Sequence, residues 1–122
     1  KRERRAFEIL ESCGVTKVNF HCYSGKVKMA LRYAEKHGWW FSIPANSRNN
    51  DNFTKMLREL PLSQILTETD APYLAPKRGE RNEPANVRQT VAHLAELRGF
   101  GLDQAIEVIE SNYYRLFGKY DA

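Results

Sequence analysis

The chain has 122 residues, 28% of them charged and 42% hydrophobic, with a formal charge of +4. That length admits one domain at most. No apolar run approaches the roughly 20 residues of a membrane-spanning helix; the longest compact one is Trp39-Trp40-Phe41-Ser42-Ile43. The surplus of positive charge permits an anionic partner without requiring one. Four basic side chains fall in Lys1-Arg2-Glu3-Arg4-Arg5, which fits a solvated helix start as well as a nucleic-acid patch. No apolar stretch follows them, so no signal peptide is expected, and position 1, not being Met, reads as the interior of a longer gene product. Cys13 and Cys22 are too few for a disulfide scaffold. A reduced, cytoplasmic setting is the expectation.

Helical and strand patterns alternate along the chain. Residues 2–12 read as a helix with Ala6, Phe7, Ile9 and Leu10 on its apolar side, closed by Gly14. Residues 15–22 are rich in β-branched and aromatic side chains and read as a strand, broken by Ser24-Gly25. A helix follows at 26–37, with Val27, Ala30, Leu31 and Ala34 spaced for one face; Gly38 ends it. Residues 39–43 form a second short strand, stopped by Pro44. Asn46 to Asp51 make a polar loop with capping residues, leading into a helix at 51–60 that carries Phe53, Met56, Leu57 and Leu60 on one side. Pro61 begins a turn, and residues 65–70 read as a third strand. The stretch 72–85 has no periodicity, and such loops are often functional beside a site. Helices at 85–98 (Val87, Val91, Leu94, Ala95 inward) and 102–117 (Ala105, Ile106, Ile109, Tyr113, Leu116, Phe117) complete the chain. Strands joined by helices imply parallel pairing with right-handed crossovers. Three strands cannot close a barrel, which needs eight strands in about 250 residues. The fold class is therefore α/β: a small three-stranded layer, or part of a barrel.

His21 ends the first strand and Asp70 the third. In parallel α/β folds functional groups gather at that edge, and both residue types are good ligands for Zn²⁺ or Mn²⁺. Alternation along a strand puts Asn19 on the face of His21 and Glu68 on the face of Asp70. Each residue alone also fits a structural role: a hydrogen-bonded histidine, a turn-capping aspartate.

Four motifs, in order, add to this reading. His21-Cys22-Tyr23-Ser24-Gly25 resembles the H-C-[FY]-[ST]-G motif of the TatD family of metal-dependent deoxyribonucleases. Glu68-Thr69-Asp70-Ala71-Pro72-Tyr73-Leu74-Ala75-Pro76 resembles its E-T-D-x-P-[YF]-L-x-P. Arg81-Asn82-Glu83-Pro84-Ala85-Asn86-Val87 resembles its R-N-E-P-x-x-[VL], and Asn112 to Gly118 its N-x-x-x-L-F-G. The set spans residues 15 to 118. The resemblance implies a TIM (β/α)8 barrel of the amidohydrolase type, of which this chain is the C-terminal part, about strands 6–8 and the helices after them, as one fragment over residues 1–122. It implies divalent cations (Mg²⁺, Mn²⁺ or Zn²⁺) at the mouth of the barrel and hydrolysis of DNA phosphodiesters. By this likeness His21 and Asp70 are metal ligands and Asp70 is also the catalytic base for the attacking water. A cation lowers the pKa of nearby water, and a carboxylate beside it can take the proton.

Other residues take supporting roles on the same reading. Glu68 and Asn19 are candidates to orient the ligands. Arg81 suits a phosphate or an ion pair with Glu80 or Glu83. Ser24, at a helix start, offers a phosphate contact or a plain turn. Arg48 lies in the loop after the second strand as a possible DNA contact. Asn82 or Glu83 starts the next helix, with Pro84 in its first turn. Trp39 and Trp40 read as core, and His37 and His93 as surface or packing residues. The family's H-x-H motif, bridging carboxylate and further histidine are not in this sequence. The chain alone is thus expected to be inactive. Two alternatives share the motifs: a D-aminoacyl-tRNA deacylase-like hydrolase, and a non-catalytic half-barrel that self-associates or pairs with an N-terminal half through its open sheet.

Overall fold

The computed structural model describes residues 2–68, 76–77, 79–82 and 84–118. The elements are α1 (Arg2–Ser12), β1 (Asn19–His21), α2 (Val27–His37), β2 (Trp40–Ile43), α3 (Asp51–Glu59), β3 (Ile65–Thr67), α4 (Val87–Arg98) and α5 (Leu102–Phe117). Short 3₁₀ turns at Ser47–Asn49, Leu62–Gln64 and Pro84–Asn86 precede α3, β3 and α4. The strands form one parallel sheet in the order β1-β2-β3, with Phe20 opposite Phe41 and Phe41 opposite Ile65. The parallel α/β expectation therefore holds. The start of α2 and the end of α3 each move by one residue, as the ends of such elements do, while α4 begins at Val87 behind the 3₁₀ turn.

The first strand is shorter than its composition suggests. β-propensity measures how well a residue packs on a half-buried surface, and residues 15–17 are exposed. Pairing begins where the Trp40 amide donates to the Val18 carbonyl (2.8 Å), and Trp39 Nε1 donates to the Val15 carbonyl (3.1 Å). The third strand is described only to Thr67. Its expected continuation, including Asp70, lies outside the described residues, as does part of the 72–85 stretch.

Strand alternation gives the sheet two unlike faces. Phe20, Phe41, Ile43 and Ile65 join Phe7 of α1, Tyr33 of α2 and Met56 and Leu57 of α3 in one cluster. Phe7 is its hub: its ring lies 4.4 Å from Tyr33 and 4.7 Å from Phe20, centroid to centroid. On the other face lie Asn19, His21, Trp40, Ser42 and Leu66. There only Trp40 and Leu66 form an apolar patch, covered by Leu116 of α5. Ile9, expected on the apolar side of α1, is exposed, and so are Ile106, Tyr113 and Phe117 of α5. The inward stripe of α5 is Ala105, Ile109, Asn112 and Leu116, and the outward one is also apolar.

Polar side chains join the helices to the layer. Arg98 at the end of α4 donates through Nε to the Leu57 carbonyl (2.8 Å) and through its guanidinium to the Leu60 carbonyl, so one side chain closes carbonyls that the end of α3 leaves open. Asn50 caps α3 by accepting from the Phe53 amide at 3.0 Å. Asn82 is buried, and its Oδ1 accepts from Asn86 Nδ2 (2.8 Å). That bond shapes the turn at Pro84–Asn86 and fits the helix-starting role.

His37 and His93 are packing residues. His37 stacks on Trp39 at 4.5 Å and meets Glu11 at 2.8 Å. His93 is buried with Nδ1 2.8 Å from Ser47 Oγ. Burial holds the His93 imidazole below its ordinary pKa; Arg48 and Arg58 push the same way and Glu96 opposes them. The unfolded chain therefore takes up this proton more readily than the folded one. The stability contributed by neutral His93 is complete above about pH 6.5 and is lost as pH falls toward the depressed folded value. Thermal melts at pH 7.5 and pH 5 should show a drop that is smaller in His93→Asn, which keeps a polar group for Ser47 but does not titrate. An equal drop in the variant would remove His93 as the cause.

Candidate metal centre

β1 delivers His21 to the C-terminal edge of the sheet. The cross-strand partner of His21 is Ser42, and beyond it the Glu68 amide donates to the Ile43 carbonyl (3.0 Å), extending the β2–β3 pairing past β3. His21 and Glu68 are thus two strand spacings apart, about 10 Å between backbones. A large side chain at position 42 would stand between them. With serine there, the imidazole reaches across, and His21 Nδ1 hydrogen-bonds Glu68 Oε2.

The neighbours of that bond fix the tautomer. The Ser42 hydroxyl donates to Asn19 Oδ1 (2.9 Å), which leaves Asn19 Nδ2 to face His21 Nε2 at 3.4 Å. The Glu68 carboxylate accepts, so His21 Nδ1 carries the hydrogen and the Nε2 lone pair faces Asn19 Nδ2. This tautomer is assigned by the network Ser42–Asn19–His21–Glu68. A carboxylate behind one ring nitrogen is the arrangement that metal-binding histidines use; a cation on Nε2 would take the place of the Asn19 amide. Glu68 is mostly enclosed, its side chain 10% exposed, whereas that of His21 is 68% exposed. The base of the centre is therefore held within the layer and the imidazole lies at its exposed edge.

The donor set fits a divalent cation in part. An imidazole nitrogen with its orienting carboxylate is present, but among the described residues no group of three His, Cys, Asp or Glu side chains could hold a metal. Asp70 lies outside the described residues.

The remaining site candidates fall in different places. Asn19 and Glu68 join His21. Arg48 is bonded instead to Glu96 of α4, beside His93, and the structure does not bring it to His21. Arg81 is exposed and forms no ion pair with a described residue; Glu80, its expected partner, pairs with Lys77 (3.6 Å). Glu83 lies outside the described residues. Ser24 sits in the turn that follows His21. That turn starts with Cys22 in the left-handed region (φ 47°), which directs Tyr23 down into the aromatic core. Tyr23 Oη donates to the Lys26 carbonyl (2.9 Å), and burial, reinforced by the Glu3 carboxylate, pushes this phenol up to about 12. A Cβ on Gly25 would lie 2.6 Å from Tyr23 Oη, so only glycine lets the loop fold over that ring. Trp39 and Trp40 are both buried. Sequence reasoning missed Ser42; its signal was a small polar residue in an otherwise apolar strand.

Residues 1–118 match the family described as TatD related DNase. The chain belongs to the TatD-related DNase family. Among TatD relatives, the Homo sapiens protein named Deoxyribonuclease TATDN3 is 33% identical over 116 residues, covering 95% of this chain and 42% of that protein. The Methanocaldococcus jannaschii protein named Uncharacterized metal-dependent hydrolase MJ1582 is 33% identical over 115 residues, covering 94% of this chain and 45% of that one. The crystal structure of a hydrolase TatD family protein from Entamoeba histolytica superposes with a TM-score of 0.82 at 18% identity, over 98% of this chain and 49% of that one. The chain thus spans less than half the length of these TatD proteins. Its three parallel strands and their helices are a segment of the TatD (β/α)8 barrel. No helix among the described residues is long and apolar enough to cross a membrane.

Proposed function

We propose that this chain is the C-terminal portion of a metal-dependent hydrolase that cleaves phosphodiester bonds of DNA. The observation that carries the reading is the tautomer of His21 at the C-terminal edge of the sheet, with Nδ1 held by Glu68 and the Nε2 lone pair toward the displaceable amide of Asn19. The deoxyribonuclease and metal-dependent hydrolase names of the relatives support it. His21 and Asp70 would hold a divalent cation, which when bound supplies Lewis acidity and offsets charge on the phosphate oxygens. Glu68 keeps the hydrogen on His21 Nδ1 and fixes the ring plane. Asp70 takes the proton of the attacking water. Asn19, anchored by Ser42, keeps a polar group against the imidazole. Cys13 and Cys22 are not joined in a disulfide, which suits a reducing cytoplasm.

Two ligands are fewer than the three of a catalytic zinc site, so the chain alone should turn over no DNA. The apolar outer stripe of α5 (Leu102, Ile106, Tyr113, Phe117) favours its pairing with the rest of a barrel or with a second copy.

Calorimetric titration of the chain with Mn²⁺ or Zn²⁺ tests the centre. Glu68→Gln should weaken binding by about 10- to 100-fold, the usual effect of removing a carboxylate behind a ligating histidine. His21→Ala and Asp70→Ala should each abolish it. Binding that survives His21→Ala unchanged would overturn the assignment.

A further inference from the structure

A cleft of about 760 Å³ opens at the β1–α2 turn that follows His21, lined by residues of α1, of that turn, of the start of α2 and of α3. Arg4, Lys26, Lys28 and Lys55 line it against one carboxylate, Glu3; Ser24, Gly25 and Asn52 add small polar surface. Arg4 is shared with Glu8 (3.5 Å), whereas Lys26, Lys28 and Lys55 form no ion pair with a described residue and are exposed. The lysines also stand where a helix least favours them. Lys26 occupies the N-cap of α2 and Lys28 its first turn, with no side-chain cap and no acidic residue there. Positive charge at a helix start opposes the dipole, and like charges from two elements face one cleft. On the adjoining surface between α1 and α2, Arg4, Lys26, Lys28 and Arg32 are interspersed with Glu8, Glu11 and Glu35, so the excess of positive charge is greatest in the cleft itself.

We propose that this cleft holds the phosphate backbone of the DNA strand whose scissile phosphate lies at His21. The proposal rests on the phosphodiesterase reading given above and extends it to the flanking nucleotides. Distance sets the register. Ser24 is three residues beyond His21, so the two lie within about 11 Å of chain. Lys26 and Lys28 follow Ser24 at the start of α2, so the cleft meets the backbone at nucleotides flanking the cleaved bond. Recognition is of charge alone, from Nζ groups and the open amides at the start of α2. Base sequence plays no part.

The test is binding of fluorescein-labelled single-stranded DNA to the chain by anisotropy, over a range of NaCl concentrations and in EDTA so that no cleavage intervenes. Lys28→Ala/Lys55→Ala is compared with the charge-matched Lys17→Ala/Arg115→Ala, which lies outside the cleft. Circular dichroism confirms that each is folded. The cleft pair should lower the slope of log affinity against log salt by about 1.4, as loss of two phosphate contacts predicts, and weaken binding at least tenfold at about 50 mM salt. The distal pair should change the slope by less than half as much. Equal effects from both pairs would mean attraction by net charge only, and would overturn the cleft, as would the absence of DNA binding. His21→Ala leaves this readout intact while abolishing metal binding, so a failure of the cleft and a failure of the metal centre are told apart.

Discussion

Phe7→Ala should cost about 3–5 kcal/mol of folding stability, the range for deleting a fully buried aromatic ring. Phe7 has no exposure, and its ring contacts Tyr33, Phe20, Tyr23, Trp39 and Phe41, at 4.4 to 6.4 Å. It is also the residue by which α1 joins the sheet. The loss therefore combines ring transfer, the cavity left behind and the pair geometry of the neighbouring aromatics. Against the 5–15 kcal/mol of a typical domain, that removes a large part of the total. Urea unfolding followed by tryptophan fluorescence should show the midpoint fall sharply, since Trp39 stacks in the same cluster. Phe7→Leu should lose less. A Phe7→Ala midpoint within error of the parent would mean that α1 is dispensable to the layer.

Asn112→Ala should cost about 2–4 kcal/mol, through hydrogen bonds and not volume. Asn112 has no exposure, and its Nδ2 donates to the carbonyls of Leu62 (2.6 Å) and Ile65 (2.7 Å). Those carbonyls belong to the turn and first residue that launch β3. A buried acceptor left unsatisfied costs about 1–3 kcal/mol, and this variant leaves two. The decisive comparison is Asn112→Asp, which keeps the shape but replaces the donor with a carboxylate facing two carbonyl oxygens. It should be worse than alanine. If aspartate were tolerated better than alanine in urea melts, the side chain would be acting by packing.

These two residues show what the sequence displayed and what it concealed. Phe7 was legible as core because the spacing of apolar residues over 2–12 is helical. Ile9 in the same helix was misplaced because a moderately apolar helix does not announce how wide its buried stripe is. The same ambiguity left the inward stripe of α5 undecided among its apolar residues. Position 112 was legible only as part of a motif; that its amide serves the start of a strand 47 residues earlier depends on tertiary docking. The centre divides similarly. Strand alternation could place Asn19 on the face of His21, and Glu68 on that of Asp70; that His21 meets Glu68 needed the strand order. Ser42 could not, since its role is to be small between two partners, and register decides that. The contact of Arg48 with Glu96 of α4 was not legible, because a loop's position in the chain says nothing of which helix it leans on. The lysines of the cleft come from elements nearly 30 residues apart, and a sequence shows them only as scattered charge.

The bond between His21 and Glu68 also has a temporal side. It joins residues 47 apart in sequence across two successive crossover units, and parallel pairings of such separation pay their loop-closure entropy before any contact rewards it. Neither unit alone can orient the imidazole. During synthesis His21 is made 47 residues before Glu68, so for that interval the histidine lacks its carboxylate and its tautomer is unfixed. A nascent chain stopped before residue 68 would carry the ligand without the geometry that makes it one.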